Sequence, residues 1–374
     1  MEITFFIILF INLIIFGIVI YNFFTAPKLQ IKERIKNQKL VSVLIPARNE
    51  EKNIQDLLLS TINQTYENLE IIVADDQSTD NTKELVYEIM RLYPEKNIRL
   101  YENDDLPKGW NGKCWACHNL SLEAHGDLLL FIDADVKLNK YAIESAVYEF
   151  EKHKIDILTV FPTQITNTLS EKIFVGAFMD WTLISLLPIK LSNNMFNKDL
   201  VAVNGQFLLF SKNAYDSIGG HISVKGSVVE DYSFGVIAKE NKLKLHTFLG
   251  DKLIYCRMYK NFNECVKGFT KNYYILSRTR NVFAFIILNL FFVFAFVLPF
   301  ILSFVFYPFA MVVLTIVAQR IFEAKTRNKS SILNILLHPF QMIVFLLVAP
   351  KSYFSFAKKQ IEWSGRQYAH IESI

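Results

Sequence analysis

Apolar residues crowd the two ends of this 374-residue chain and thin out in its middle, a distribution that restricts the possible folds more than any other feature. Residues 4–24 are apolar almost throughout, about the twenty residues that cross a bilayer as a helix. No small-residue cleavage site follows, so the stretch reads as an uncleaved anchor and not a signal peptide. Residues 282–318 are apolar again, with Pro299 and Pro308 inside. At about 1.5 Å per helical residue that is too long for one span and suits two short ones. A further apolar stretch, 332–349, contains His338 and Pro339. Overall 52% of residues are hydrophobic and 33 are Phe, above the roughly 45–50% apolar share of soluble chains.

The cations are placed with respect to these stretches. Lys28, Lys32, Arg34, Lys36 and Lys39 follow the first, and Arg278, Arg280, Arg320, Lys325, Arg327 and Lys329 bracket the second. Basic residues beside a span mark its cytoplasmic side and favour anionic headgroups. The expected organisation is an anchor over 1–26, a cytosolic α/β domain over 38–275, a transmembrane hairpin over 280–320, and an apolar segment with a cytosolic tail over 330–374. That organisation predicts a multi-pass membrane protein. Around 332–349 the charge rule conflicts with a simple span, because Lys325 to Lys329 precede it and Lys351, Lys358, Lys359 and Arg366 follow. A bent or re-entrant segment resolves that conflict. The apolar stretch within 168–195, interrupted by Asp180 and Pro188, either lies on the membrane surface or is an ordinary packed helix. A net charge of +4 is too small to suggest nucleic acid as a partner. The four cysteines fit a reducing compartment; Cys114 and Cys117 form a C-x-x-C with no second pair nearby, which reads as a helix wall and not as a zinc or redox site.

Between the ends the pattern changes. Short apolar runs at 40–46, 69–76, 98–101, 127–135 and 155–161 read as strands, with helical spacing between them. Alternating strands and helices imply a mostly parallel sheet, whose ligands bind at the strands' carboxyl ends. Acidic residues end or follow such strands in three places: Asp75-Asp76, Asp133-Ala-Asp135 and Glu230-Asp231. Asp133 and Asp135 point to the same side by strand alternation, and follow four apolar residues, Leu129 to Ile132. Mg2+ or Mn2+ takes hard oxygen ligands, usually one or two carboxylates plus substrate phosphates. Asp76 can accept a hydrogen bond from a pyrimidine N–H; alternatively this cluster caps the next helix, through Asp80 or through an Asn81–Glu84 capping box. Lys108 to Lys113 is a glycine loop opening a helix, where Gly109 and Gly112 allow close approach and Lys113 can pair with a diphosphate; the other reading is a surface turn. Cys114 stands where a P-loop has Ser or Thr, which argues against an ATPase. Glu230 or Asp231 can serve as a general base, or can merely complement a helix dipole.

These residues resemble family 2 glycosyltransferases. Val41 to Glu51, with Pro46, Ala47, Arg48 and Glu50, resembles the family's first strand and nucleotide loop. Asp76 matches the aspartate that contacts uracil, and Asp133-Ala-Asp135 the metal motif, with Asp135 as metal ligand and Asp133 on the donor. Gly112-Lys113 with Ala116 resembles the family's Gly-Lys-x-x-Ala element, and Glu230-Asp231 its Glu-Asp motif, whose aspartate is the base. The segments at Gly109–Ala116, Arg257–Tyr259, Gly268–Asn272 and Glu362–Tyr368 resemble the hopanoid-associated and diaponeurosporenoate-type membrane branch. There is no clear Gln-x-x-Arg-Trp; Arg278 and Arg280 are the cations in a comparable place, which argues against a processive polymerase. In that branch the Glu-Asp pattern varies, so Glu230 stays open as the base. The resemblance implies a GT-A-like domain with flanking transmembrane helices. It also implies an inverting, metal-dependent transfer from a nucleotide-sugar, UDP-linked, to a lipid acceptor at the cytoplasmic face of a bacterial plasma membrane; separately, Arg366 and Trp363 in the tail are candidates to line the acceptor's entry. A polyprenyl phosphate acceptor and a non-catalytic scaffold of the same fold are the alternatives.

Overall fold

The computed structural model describes residues 1–32, 38–279, 281–358, 361–363 and 366–368, the last two segments by their backbone alone. Arg34, Lys36, Arg280, Lys359 and the side chains of Trp363 and Arg366 lie outside the described residues. The chain divides into two compact units: one of 1–26, 166–191 and 259–362, the other of 27–165, 192–258 and 363–374.

The second unit is built on strands β1 (Val41–Ala47), β2 (Leu69–Asp75), β3 (Ile98–Glu102), β4 (Leu128–Ile132), β5 (Val136–Leu138), β6 (Ile157–Phe161), β7 (Thr163–Gln164), β8 (Phe207–Ser211), β9 (Leu245–Leu249) and β10 (Ile254–Cys256). Seven of them form one sheet in the order β3-β2-β1-β4-β8-β6-β9. Pairing is parallel throughout except at β8, which runs antiparallel to both β4 and β6. The near-continuous apolar runs follow from burial on both faces. Val41, Val43 and Ile45 join Leu128, Leu130 and Ile132 in one core, whereas Leu44, Leu129 and Phe131 enter another with Cys114, Cys117 and Leu120. The C-x-x-C is thus part of a helix wall, and all four cysteines are free and buried. Strands β5, β10 and β7 make a smaller sheet, in which Cys256 pairs with Val136 and with Gln164.

One edge follows from this topology. Residue Ala47 is in register with Asp75, and Ile132 with Phe207. The carboxyl ends of β1, β2 and β4 therefore meet the chain entering β8, residues 203–206.

The other unit is helical. Among the described residues three helices are long and apolar enough to cross a membrane: Glu2–Thr25, Val282–Leu302 (a Val282–Phe296 helix continued by Leu298–Leu302), and Ser331–Ala357. The second arm expected of a 280–320 hairpin is the helix Phe309–Thr326, which carries buried Gln319, Arg320 and Glu323. The 332–349 stretch belongs to one unbroken 27-residue helix with Pro339 and Pro350 inside it. The apolar stretch at 168–195 is broken into the helix Leu169–Val175, a π-helical turn Gly176–Trp181 and the helix Thr182–Leu186. Its Phe174, Val175, Trp181 and Ile184 are buried, so it is packed within this unit.

The buried charges Asp180, Arg320, Glu323 and Arg327 inside this unit are paired, as the cost of burying them alone requires. Asp180, the interruption in that stretch, forms ion pairs with Arg327 (2.9 Å) and Lys329. Arg320, with none of its surface exposed, donates from Nε to His338 Nδ1 (2.7 Å), from one Nη to Glu323 (2.5 Å) and from the other to Gln341 Oε1 (2.5 Å). His338 Nε2 lies 3.0 Å from the Phe296 carbonyl. Nε2–H donates there, which leaves Nδ1 as the acceptor Arg320 needs.

Candidate active site

The loop after β1 is tied to the loop after β2 before any ligand is considered. Asn49 N–H donates to Ser78 Oγ (3.0 Å), Thr79 N–H to Asn49 Oδ1 (2.8 Å), Glu50 N–H to Thr82 Oγ1 (2.7 Å), and Glu51 N–H to Asp80 Oδ2 (3.1 Å). Asn49 and Gln77 both take positive φ, 56° and 57°, a conformation asparagine tolerates better than most side chains. Pro46 and Ala47 are the last residues of β1, and Ala47 accepts a hydrogen bond from Asp76 N–H (2.8 Å). The Arg48 guanidinium donates to the Asp76 and Gln77 carbonyls and stands 3.9 Å from the Asp76 carboxylate. Asp76 is buried, and Asn103 Nδ2 approaches its Oδ1 at 3.4 Å. Asn119 in turn donates to Asn103 (3.1 Å). Sequence reading did not single out Asn103, which lies just past the end of β3 and so at the same edge.

The capping expectation needs a correction. Asn81 is the N-cap residue of Thr82–Leu92 but makes no side-chain cap bond, so no Asn81–Glu84 box forms. Asp80 does the capping instead: its Oδ1 accepts from Thr82 N–H (3.0 Å) and Thr82 Oγ1 (2.5 Å). Asp80 also accepts from Glu51 N–H, so one carboxylate holds both loops, while the Asn81 amide donates to Glu51 Oε2 (3.2 Å).

The glycine loop does open a helix, Gly112–Glu123, with Asn111 as N-cap accepting from Cys114 N–H at 2.7 Å. Gly109 takes φ +86°, with nothing within 4 Å of where a Cβ would stand. Its role in the described residues is to allow that turn, not a close approach. Lys113 Nζ lies 2.7 Å from Asp133 Oδ1 and 2.9 Å from Glu230 Oε1. Burial opposes the charge on this ammonium, but Asp133 and Glu230 raise its pKa well above the ordinary lysine value. Strand and helix terminus are thereby drawn to one cation.

Glu230 and Asp231 begin the helix Glu230–Glu240. Gly205 N–H donates to Asp231 Oδ2 (2.9 Å), and Tyr232 N–H to Oδ1 (2.8 Å). A Cβ on Gly205 would stand 3.2 Å from Lys113 Nζ and 3.4 Å from Asp231 Cβ, so no larger side chain fits without a shift. Gly205 precedes β8, a strand that sequence reading did not identify.

The carboxylates outnumber the cations, and their acidities show it. Burial, then the charge of Glu230, raises the Asp231 carboxyl to about 6. Burial, then Asp133, raises Asp135 to about 6. Burial raises Glu50 to about 7 against a hydrogen bond from Asn53, with Asp135 and Asp133 adding to it. Glu50, Asp133, Asp135, Glu230, Asp231 and Lys113 therefore share one electrostatic neighbourhood, and Arg48 with Asp76 flanks it across the joined loops. Asp135 Oδ1 is buried and has no hydrogen-bond partner. A buried anionic oxygen left unpaired is costly unless something cationic takes it. Among the described residues no three His, Cys, Asp or Glu side chains form a complete metal cage.

Comparison with known proteins bears on this arrangement. The family model described as Glycosyl transferase family 2 matches residues 42–219. The 4,4'-diaponeurosporenoate glycosyltransferase of Staphylococcus haemolyticus (strain JCSC1435) is 27% identical over 263 residues, 69% of this chain and 68% of that one. The protein of the same name from Staphylococcus aureus (strain USA300) is 30% identical over 260 residues, 68% of this chain and 66% of that one. Among solved structures, a mannosyltransferase from Pyrobaculum calidifontis in complex with GDP-Man and Mn2+ aligns with a TM-score of 0.54 at 15% identity, covering 93% of this chain and 98% of its own. That likeness concerns the fold, a GT-A-like sheet with accompanying helices.

Proposed function

Because the chain belongs to glycosyltransferase family 2, we propose that it moves a sugar, with inversion, from a UDP-linked nucleotide-sugar to a lipid or isoprenoid acceptor at the cytoplasmic face of a bacterial plasma membrane. The observation that carries this reading is the meeting of Lys113 with Asp133 and Glu230 beside Asp135, whose Oδ1 is buried and unpartnered. Hard oxygen donors of this kind suit Mg2+ or Mn2+, ions that usually take one or two carboxylates together with substrate phosphates. Asp135 would hold that ion, which supplies Lewis-acid neutralisation of the diphosphate leaving group.

The remaining roles belong to the chain itself. The Pro46–Glu50 loop, with Arg48, seats the nucleotide, and the Asp76 carboxylate accepts from the base. Lys113 exchanges a carboxylate partner for a donor phosphate. Asp231, its carboxylate oriented by the Gly205 and Tyr232 N–H groups, takes the proton of an acceptor hydroxyl. The acceptor oxygen bonds to the anomeric carbon as the bond to the diphosphate breaks on the opposite side. Glu230, already paired with Lys113, is the alternative base. The helices long enough to cross a membrane support a lipid acceptor, and the cations following Thr25 support a cytoplasmic catalytic domain.

The test uses detergent-purified protein, a panel of nucleotide-sugars, a bacterial lipid extract and detection of released nucleotide. Release should require a donor, the lipid and a divalent ion, and should stop on chelation. Failure to bind any nucleotide-sugar in Mn2+ would restore the scaffold reading. A stability measurement accompanies it. Asp135 has a folded pKa raised to about 6, above its unfolded value near 3.9, so above pH 6 its ionisation destabilises the metal-free fold. That cost shrinks as pH falls below 6, where the folded state takes up the proton, and is gone below about 3.9, where the unfolded chain is protonated too. Asp135→Asn should therefore raise the melting midpoint of metal-free protein at pH 7.5, by about 2 kcal/mol of stability, and should lose the further rise that Mn2+ with UDP gives wild type.

A further inference from the structure

Length and apolar content make Ser331–Ala357 a candidate span, yet both of its ends are held at one end of the helical unit. The directions of the other helices set the frame. Phe5, near the start of Glu2–Thr25, meets Phe306 and Phe309, with ring centroids 6.2 and 5.6 Å apart. Further along, Asn12 Nδ2 donates to the Ala295 carbonyl (3.0 Å), and Gln319 Nε2 donates to the Asn12 carbonyl (2.8 Å). Phe23 then meets Phe322 at 5.0 Å. Glu2–Thr25 and Phe309–Thr326 therefore run the same way, and Val282–Phe296 runs opposite to both. Thr25, Val282 and Thr326 share one side, and the turn from Phe304 to Pro308 lies at the other.

Ser331–Ala357 starts on the first of these sides. The turn 327–330 that leads into it is held by the pairing of Arg327 and Lys329 with Asp180. Asn334 Nδ2 donates to the Arg320 carbonyl (3.2 Å) and to Glu323 (3.2 Å), beside the end of Phe309–Thr326. From there the helix runs obliquely back along Val282–Phe296 toward its beginning. His338 Nε2 lies at the Phe296 carbonyl, and Phe345 meets Phe292 at 4.8 Å. Tyr353 and Phe356 then meet Tyr274 (5.4 and 4.9 Å), whose ring also packs on Phe285 (4.9 Å). Tyr274 N–H donates to Ser352 Oγ (2.8 Å). Tyr274 belongs to Phe262–Leu276, the helix that leads into Val282–Phe296, so the carboxyl end closes on the side where it began.

We infer that Ser331–Ala357 enters and leaves the bilayer at the face where Val282–Phe296 begins, and that its exposed stripe of Ile332, Leu336, Phe340, Ile343, Leu347 and Phe354 contacts the lipid of that leaflet alone. This rests on Val282–Leu302 and Phe309–Thr326 crossing as a hairpin. Charge favours the arrangement: Lys325, Arg327 and Lys329 before the helix and Lys351, Lys358 and Lys359 after it stay on one side, whereas a crossing would carry the last three to the far face. So does the buried network. Drawing the first turns away toward the far face would strip Arg320 of His338 and Gln341, and Glu323 of Asn334, inside an apolar medium. The consequence for the proposed reaction is one of compartment. The tail with its Glu362–Tyr368 segment shares a side with the chain that precedes Val282, and hence with the nucleotide-sugar; a crossing helix would put the bilayer between them.

The test introduces one exposed cysteine at a time into the full-length protein, whose own four cysteines are buried. The sites are Glu95→Cys in the α/β unit, Tyr307→Cys in the turn, and Lys358→Cys after the helix. Spheroplasts are treated with a membrane-impermeant maleimide before or after permeabilisation. Tyr307→Cys should label in intact spheroplasts, Glu95→Cys and Lys358→Cys only after permeabilisation, and wild type in neither. Labelling of Lys358→Cys in intact spheroplasts while Glu95→Cys stays protected shows a crossing helix and overturns the inference. Tyr307→Cys on the same side as Glu95→Cys also overturns it, because the hairpin is then absent. If Glu95→Cys and Lys358→Cys both label in intact spheroplasts and Tyr307→Cys does not, the inference holds and the cytoplasmic placement of the proposed reaction is what fails.

Discussion

Asp231→Asn should lower kcat/KM for transfer by about 10^2–10^4-fold, the range a general base contributes, with the melting midpoint little changed or slightly raised. Asp231 accepts the Gly205 and Tyr232 N–H groups on separate oxygens, so the asparagine keeps one of these two hydrogen bonds and sheds a buried charge in losing the other. The proton acceptor is gone. The wild-type pH profile carries the same signature. With its carboxyl raised to about 6 by burial and by Glu230, Asp231 is mostly protonated below that pH and ionised above it. The logarithm of kcat/KM should rise with unit slope toward pH 6 and level off above, and that limb should vanish in the variant. Glu230→Gln provides the contrast: it removes a partner of Lys113 and should raise the donor KM more than it lowers kcat. Full turnover in Asp231→Asn would mean an acceptor already ionised, such as a polyprenyl phosphate or an isoprenoid acid, which needs no base.

The second large effect belongs to the helical unit. Arg320→Ala removes the donor shared by His338, Glu323 and Gln341, and leaves the Glu323 carboxylate buried with Asn334 as its remaining hydrogen-bonding neighbour. Breaking one side of a buried pair costs about 3–5 kcal/mol. The detergent melting midpoint should fall on the order of 10 °C. Arg320→Lys should recover less than half of it, because one ammonium cannot reproduce three divergent N–H directions. A fall of less than about 2 °C in Arg320→Ala would show that the network contributes little net stability. Arg320→Met with Glu323→Gln, an uncharged pair, should unfold later than Arg320→Ala alone.

Much of the sheet was legible in the sequence for one reason. Strands β1, β2 and β4 are buried on both faces, so each reads as a continuous apolar run, and each ends or is followed by residues that the core would reject, from Arg48 to Asp135. That places the charged groups at one edge without any structural knowledge. Strand β8 escaped notice although Phe207 to Phe210 is as apolar as the others. It is antiparallel and follows 166–191, so the alternation of strand and helix had already lapsed before it. Missing β8 meant missing Gly205, whose N–H holds Asp231. Backbone donors such as the Gly205 N–H leave no mark on residue type. Of the two caps the sequence offered, Asp80 takes Thr82 N–H and the Asn81–Glu84 box does not form, because the Asn81 amide is turned to Glu51. Asp180 looked like an interruption in an apolar stretch and Arg320 like a cation bracketing one; Asp180 pairs 147 and 149 residues away and Arg320 reaches His338 and Gln341 on another helix, pairings that no local pattern foretells.

Strand β8 also sets the order in which a ribosome can deliver this sheet. It is the neighbour of both β4 and β6, so β6 has no place to join the growing β3-β2-β1-β4 array until β8 arrives. Phe161 ends β6 and Phe207 begins β8, so 46 further residues, the difference of those two numbers, must be made first. At roughly 5–20 residues per second that is a wait of about 2–9 s. During it, β4 shows an unpaired apolar edge while the aromatic-rich 169–186 stretch emerges. A nascent chain stalled in that interval is the form of this protein most exposed to misassociation.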